Sequence, residues 1–347
     1  MKTRNFVTRA GAKLRISEIG LGTAPLGNLF AKLDEGEAVG TVAAAYKAGV
    51  RLFDTSPHYG NGLAELRLGA ALRHHPRESF VFSTKVGRWM NPLEPVAPKD
   101  PKVFSPGFAG PLSHRAAFDY SYDGTMRSVE QSLLRTGFDR LDILLIHDVD
   151  VWTHGADYET RFREAMEGAY KALDKLRASG AVAAIGMGLN EADVAERFAR
   201  AGDFDVMLLA GRYTLLEQPA AESFLPLAVE KKIGIMMGGV YNSGILATGA
   251  IRGAKYNYGP APAEIMARVR KIEAVCKRHR VPLRRAALAF ALAHPAVISA
   301  VLGAVKPAEV KANLADLARP VPAALWQELK AEGMLSAASV TPRQRRK

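Results

Sequence analysis

Four ionisable side chains close or follow short apolar runs. Asp54 ends RLFD (51–54), Tyr59 follows in TSPHYGNG (55–62), Lys85 ends FVFSTK (80–85) and His147 ends LDILLIH (141–147). A carboxylate, a phenol, an ammonium and an imidazole together suit proton exchange at an oxygen atom. A tyrosine hydroxyl, with an ordinary pKa of about 10, exchanges protons poorly at neutral pH. An ammonium beside it, Lys85, would favour the phenolate, and Asp54 would supply the counter-charge that a buried ammonium needs. His147 would then donate a hydrogen bond to a substrate oxygen. Such a set moves a proton to or from a carbinol oxygen. The sequence shows neither a Ser–His–acid set nor a metal-ligand spacing such as His-x-x-x-His, so a hydrolase or a metal site is not expected.

Residues this far apart meet only if a scaffold gathers them. Eight short apolar runs read as strands: 18–23, 50–55, 80–85, 141–147, 181–188, 205–210, 233–239 and 297–303. Amphipathic stretches such as EAVGTVAAAYKAG, TMRSVEQSLLRTG and RFREAMEGAYKALDKLRASG lie between them. Gly49, Gly137 and Gly180 end these as left-handed caps. Alternation of this kind predicts an α/β protein with a parallel sheet, and eight units predict closure into a (β/α)8 TIM barrel. The alternative is an open doubly wound sheet, but no Gly-x-Gly-x-x-Gly opens a first helix. FVTRAGAKLRISEIG (6–20) reads as an N-terminal hairpin ahead of the barrel. No linker divides the chain, so residues 1–347 are expected to form one barrel domain, with about 341–347 as a disordered basic tail. Long loops at 87–121 and 239–262 suit lids or binding walls. In a barrel the carboxyl ends of the strands share one rim, which would collect Asp54, Tyr59, Lys85 and His147.

Composition narrows the class further. Of 347 residues, 48% are apolar, enough for a core and against a largely disordered chain. No apolar run approaches the roughly 20 residues of a membrane span, and no secretory signal opens the chain. A single cysteine, Cys276, excludes an intramolecular disulfide and a Cys-rich zinc site, and fits a cytoplasmic location. It lies in an amphipathic stretch and reads as a packing residue. The net charge of +12 gathers partly at Arg319, Lys330, Arg343, Arg345, Arg346 and Lys347. No aromatic-interleaved basic stripe accompanies it, which argues against nucleic acid and leaves anionic small molecules, a dinucleotide among them, as partners.

FDTSPHYGNGLAELRLGAAL (53–72), STKVG (83–87) and LDILLIHDVD (141–150) resemble the aldo-keto reductase family, and the resemblance runs from about residue 14 to 333. The family's catalytic Asp, Tyr, Lys and His fall on Asp54, Tyr59, Lys85 and His147. GTAPLGNLF, LLAGRYTLLEQ, NSGILATG and LAHPAVISAVLGA resemble the branch of D-threo-aldose 1-dehydrogenases (L-fucose dehydrogenases) and the neighbouring pyridoxal 4-dehydrogenases. The resemblance implies hydride transfer between a substrate carbon and C4 of a nicotinamide. Tyr59 would be the general base in oxidation and the general acid in reduction. The implied substrate is the ring hemiacetal of an aldose such as L-fucose, or of pyridoxal, oxidised to a lactone.

The resemblance also assigns cofactor residues, with departures. After the eighth strand, NADPH-using members carry a Lys-Ser pair and an Arg. Here these become Gly303, Ala304 and Glu309, while Asn313 keeps the adenine-contacting Asn. A carboxylate at 309 would repel a 2′-phosphate and accept from a free ribose 2′-hydroxyl, so NAD is expected over NADP. Lys306 is the one nearby cation that argues otherwise. The family's carboxamide-holding Ser-Asn pair and Gln become Asn190, one residue displaced, and Ala210. The aromatic that stacks on the nicotinamide falls at Gly238, and Arg212 and Tyr241 are the available substitutes. Asn242, Ser243 and Gly244 offer backbone N–H groups to a pyrophosphate. His58, Trp89, Phe118, Tyr120 and Trp152 are candidate substrate walls. The rival class is a nicotinamide-sensing regulatory protein with negligible turnover, similar to the β-subunits of potassium channels.

Overall fold

The computed structural model describes residues 1–96 and 107–342. Residues 343–347 of the expected basic tail, and 97–106 of the first long loop, lie outside the described residues. Two antiparallel strands, β1 (Thr3–Val7) and β2 (Lys13–Ser17), form the expected hairpin. It covers the amino-terminal end of the barrel, where Arg4 donates to the Val297 carbonyl and the Arg9 N–H donates to Asp205.

Eight strands close the barrel: β3 (Ile19–Gly22), β4 (Leu52–Asp54), β5 (Val81–Val86), β8 (Ile143–His147), β9 (Ala184–Leu189), β10 (Val206–Ala210), β11 (Gly234–Gly238) and β14 (Val297–Gly303). All eight neighbouring pairs are parallel. Each falls on one of the expected apolar runs. Two hairpins extend the carboxyl rim, β6 (Arg88–Asn91) with β7 (Arg115–Phe118) and β12 (Lys255–Tyr256) with β13 (Gly259–Pro260). These occupy the two long loops. Gly49, Gly137 and Gly180 have φ of 92°, 67° and 76°, the left-handed caps that the sequence implies.

A strand buried on both sides sorts its residues by parity. Leu52, Val81, Ile143 and Leu145 join Leu14, Ile16, Val206 and Met236 in the cluster that fills the barrel. Phe53, Phe82, Leu144 and Ile146 belong to the layer beneath the helices. Counting on by twos from the inward set gives Asp54 on β4, Lys85 on β5 and His147 on β8. These polar side chains are therefore the last inward residues of their strands. Cys276 is buried in the helix Ala263–Arg278, and burial pushes its thiol up to about 12, as suits a packing residue.

Among the described residues, no helix is long and apolar enough to cross a membrane, and no cluster of His, Cys, Asp and Glu is arranged to hold a metal ion.

Candidate active site

Lys85 Nζ donates to Asp54 Oδ2 at 2.7 Å and to the Thr55 carbonyl at 2.7 Å. Ser83 Oγ donates to the other carboxylate oxygen of Asp54 at 2.8 Å. Burial pushes the Asp54 carboxyl up, against the pull of the Lys85 ammonium. Tyr59 arrives from the loop after β4, its ring centroid 5.0 Å from Lys85 Nζ and 6.0 Å from the His147 ring, which stands at 84° to it. Barrel parity and one turn thus bring all four residues together.

That turn rests on a backbone contact. A Cβ on Gly27 would lie 2.5 Å from the Tyr59 carbonyl carbon, and one on Gly60 (φ 66°) would lie 2.6 Å from the Gly27 oxygen. Gly27→Ala is therefore expected to cost about 1–3 kcal/mol of stability by overpacking and to displace Tyr59. A lower urea midpoint together with lost turnover checks this; an unchanged midpoint would mean that the contact yields freely.

The electrostatics of Tyr59 differ from the sequence expectation. Burial pushes its hydroxyl well above the ordinary value, and the Asp54 and Asp148 carboxylates push the same way. Residue types alone predict that Lys85 lowers it. The ammonium is instead matched by Asp54 and the Thr55 carbonyl, so little of its charge is left to act on the phenol.

Around His147 the structure adds residues that the strand-end reading passed over. Ser56 Oγ lies 3.1 Å and Arg88 Nη1 3.2 Å from Nδ1, while Asp148 Oδ1 lies 3.3 Å from Nε2. Arg88 also pairs with Asp148 Oδ2 at 2.9 Å. Burial, then the charges of Arg88 and Lys85, hold the imidazole pKa well below its ordinary value. Burial raises Asp148 to about 6. Asp148 directly follows a strand-ending histidine, so extending the rule by one residue would have found it. Arg88 lies beyond the Gly87 turn, where no periodicity singles it out.

The cleft above them opens to solvent and spans about 580 Å³, the open space at its mouth included. Tyr59, His147 and Asp148 line its floor, and Leu29, Phe108 and Tyr258 form walls, with His58 and Asn190 between. His58 stands edge-on to Phe108 at 5.2 Å, and burial holds its imidazole pKa well below the ordinary value. Trp152 lies 6.2 Å from the Tyr258 ring and under the Arg212 guanidinium. Of the five expected walls, His58 lines the cleft, and Trp152 and the other three do not. Trp89 lies under Arg127, and Phe118 lies under Arg88 at 4.2 Å. Tyr120 is buried behind the site, its hydroxyl donating to the His147 carbonyl at 2.9 Å. Phe108 from the first long loop and Tyr258 from the second take their place.

The expected cofactor residues form two groups. In the first, Glu217 accepts from Asn242 Nδ2 at 3.0 Å and from the Tyr256 hydroxyl at 2.6 Å, and lies 3.5 Å from Arg212. Asn242, Ser243 and Gly244 all have positive φ, but the N–H groups of Asn242 and Gly244 are taken by the Gly239 and Tyr241 carbonyls. Asn242 Oδ1 is buried with no hydrogen-bond partner among the described residues, an acceptor that the hydroxyls or carboxamide of a dinucleotide would satisfy. In the second group, Asn313 Oδ1 accepts from Arg284 at 2.9 Å and from the Tyr241 hydroxyl at 3.3 Å. Arg284, which the sequence reading missed, is itself paired with Asp316. Glu309 accepts the Val305 N–H at 2.8 Å, reaching back across the start of its helix (Pro307–Leu317), and Lys306 lies 3.8 Å from Glu37. Gly303 ends β14 against Pro25, where a Cβ would be 2.8 Å from Cγ.

A model described as the aldo/keto reductase family matches residues 18–332. The chain belongs to the aldo/keto reductase family. It is an oxidoreductase, and members of this family use nicotinamide cofactors. This aldo-keto reductase is 42% identical over 321 residues to the D-threo-aldose 1-dehydrogenase of a Pseudomonas species, covering 92% of this chain and 95% of that one. It is 39% identical over 330 residues to the pyridoxal 4-dehydrogenase of Microbacterium luteolum, covering 93% and 96%. These are the two branches that the sequence resembles. An aldo-keto reductase from Bacillus halodurans shares the barrel with a TM-score of 0.71 over 97% of both chains, at 22% identity.

Proposed function

We propose that this aldo-keto reductase is a dehydrogenase that oxidises the anomeric carbinol of an aldose hemiacetal to a lactone, with NAD as hydride acceptor. The observation that carries the reading is the convergence of Tyr59 and His147 on the floor of one cleft, with Lys85 and Asp54 buried beneath. The carbinol hydroxyl would give its proton to the Tyr59 phenolate while its carbon gives up a hydride and the C=O bond forms. His147 would hold the same oxygen through a hydrogen bond, and the Lys85–Asp54 pair keeps the Tyr59 ring in place. A bound oxidised nicotinamide supplies the hydride acceptor and a positive charge, which favours ionisation of the buried phenol. Asp148, His58 and Asn190 offer polar groups to a polyhydroxylated ring, and the 42% identity to an aldose dehydrogenase supports that substrate class. Pyridoxal is the second reading, supported by the 39% identical relative and by the aromatic walls Phe108 and Tyr258.

The preference for NAD rests on Glu309, whose carboxylate would repel a 2′-phosphate, and on the pairing of Lys306 with Glu37; Arg284 is paired with Asp316, which it shares with Arg285. NADH formation across L-fucose, D-arabinose, L-galactose and pyridoxal tests the proposal. We expect aldose oxidation with kcat/KM about tenfold or more higher for NAD than for NADP, the ~1.4 kcal/mol scale of one unfavourable charge contact. A clear NADP preference would remove the cofactor assignment. Oxidation of pyridoxal alone would favour the second reading, and no oxidation with either nucleotide would favour a sensing role.

A further inference from the structure

We propose that Arg88 and Asp148 are positioning residues that fix His147 as the neutral tautomer with its proton on Nε2, the nitrogen that would meet the substrate oxygen. The inference rests on the reading of His147 as the group that holds the reacting oxygen.

The assignment follows from which atoms can donate. A guanidinium carries only donors, so Arg88 Nη1, 3.2 Å from His147 Nδ1, makes Nδ1 an acceptor. Ser56 Oγ is compatible with this: it accepts the His58 N–H at 3.1 Å, and its own proton is available to Nδ1 at 3.1 Å. On the other side of the ring, Nε2 faces an acceptor, Asp148 Oδ1 at 3.3 Å. A proton on Nδ1 would point at the Arg88 donor and leave the Nε2 lone pair against a carboxylate. In the tautomer with the proton on Nε2, every contact is complementary.

The pair is built to stay where it is. Asp148 has a φ of 53°, a left-handed conformation that costs most side chains energy and that Asp and Asn tolerate best. Its N–H nevertheless reaches the Gly188 carbonyl on β9 at 3.0 Å, so the conformation is locked. Arg88 is held from above by Phe118 and from the side by Asp148. The charged and titratable groups facing His147 are Lys85 from β5, Arg88 from β6, His58 and Tyr59 from the loop after β4, and Asp148; β9 contributes only Gly188. Burial, together with the Arg88 guanidinium against Nδ1, keeps a second proton off the ring.

The test uses the full chain labelled with 15N-histidine, and long-range proton–nitrogen spectra taken from pH 8 to pH 5. The His147 signal is identified by its loss in His147→Asn. We expect a protonated Nε2 and an unprotonated Nδ1 throughout this range. Arg88→Met is expected to turn the signal into a mixture of tautomers that begins to titrate above pH 5, and Arg88→Lys, which keeps a cationic donor, to restore the wild-type pattern in part. A wild-type ring protonated on Nδ1, or titrating near its ordinary pKa of about 6.5, would overturn the proposal, even if Arg88→Met failed to fold. An unchanged pattern in folded Arg88→Met would overturn it as well. These spectra need no substrate, so they can be read whether or not an aldose is oxidised.

Discussion

Tyr59→Phe is expected to lower kcat for aldose oxidation by about 100- to 10,000-fold, the range that a positioned proton acceptor supplies. The substitution removes one oxygen and leaves the ring, whose neighbours are His147 at 6.0 Å, Phe108 at 6.3 Å and His58 at 6.4 Å. Stability should therefore change by no more than about 1 kcal/mol, and NADH binding followed by fluorescence should stay as it is. The wild-type rate should also rise with pH. Burial holds the Tyr59 hydroxyl well above its ordinary pKa, so release of the proton limits oxidation. The Phe variant has no such proton and should lose that rise. Equal rates in the two proteins would mean that another group takes the proton.

The barrel was legible because its strands are buried on both faces. Runs such as ILLIH between polar, glycine-capped helices have few alternative readings, and parity within them points Asp54, Lys85 and His147 inward. The cleft walls were legible only as regions. Aromatic content drew the reading to Trp89, Phe118 and Tyr120 in the first long loop. Which way a ring faces there depends on hairpin register, and the pairing of Arg88 with Phe118 sets Phe118 against the guanidinium and away from the cleft. Phe108 and Tyr258 come from stretches without regular periodicity, where the sequence gives no facing. The Tyr59 pKa was missed for a related reason: a nearby cation lowers a phenol pKa only if its charge is unmatched. Residue types cannot show that Lys85 is spent on Asp54 and the Thr55 carbonyl.

That pairing predicts the behaviour of Lys85→Met. Lys85 and Asp54 are 1% and 2% exposed, so removing the ammonium strands a buried carboxylate and leaves the Thr55 carbonyl without the donor now 2.7 Å away. Breaking a buried pair from one side costs about 3–5 kcal/mol, which urea unfolding at pH 8 should show. The loss should depend on pH. Burial already holds the folded pKa of Asp54 above its ordinary value of 3.8, and without Lys85 it must rise further. The folded state then binds a proton that the unfolded state has released, so stability falls as pH rises between the two pKa values. The deficit should be largest at pH 8 and shrink toward pH 5. Asp54→Asn combined with Lys85→Met removes the stranded charge and should recover most of the lost stability, while oxidation stays absent in both variants. A deficit that ignores pH, or a double variant no more stable than Lys85→Met, would show that Asp54 carries no charge in the fold. Recovered stability without recovered turnover would separate the pair's two tasks, since the neutral amide of the double variant and Ser83 can fill the space but cannot restore the cation beneath Tyr59.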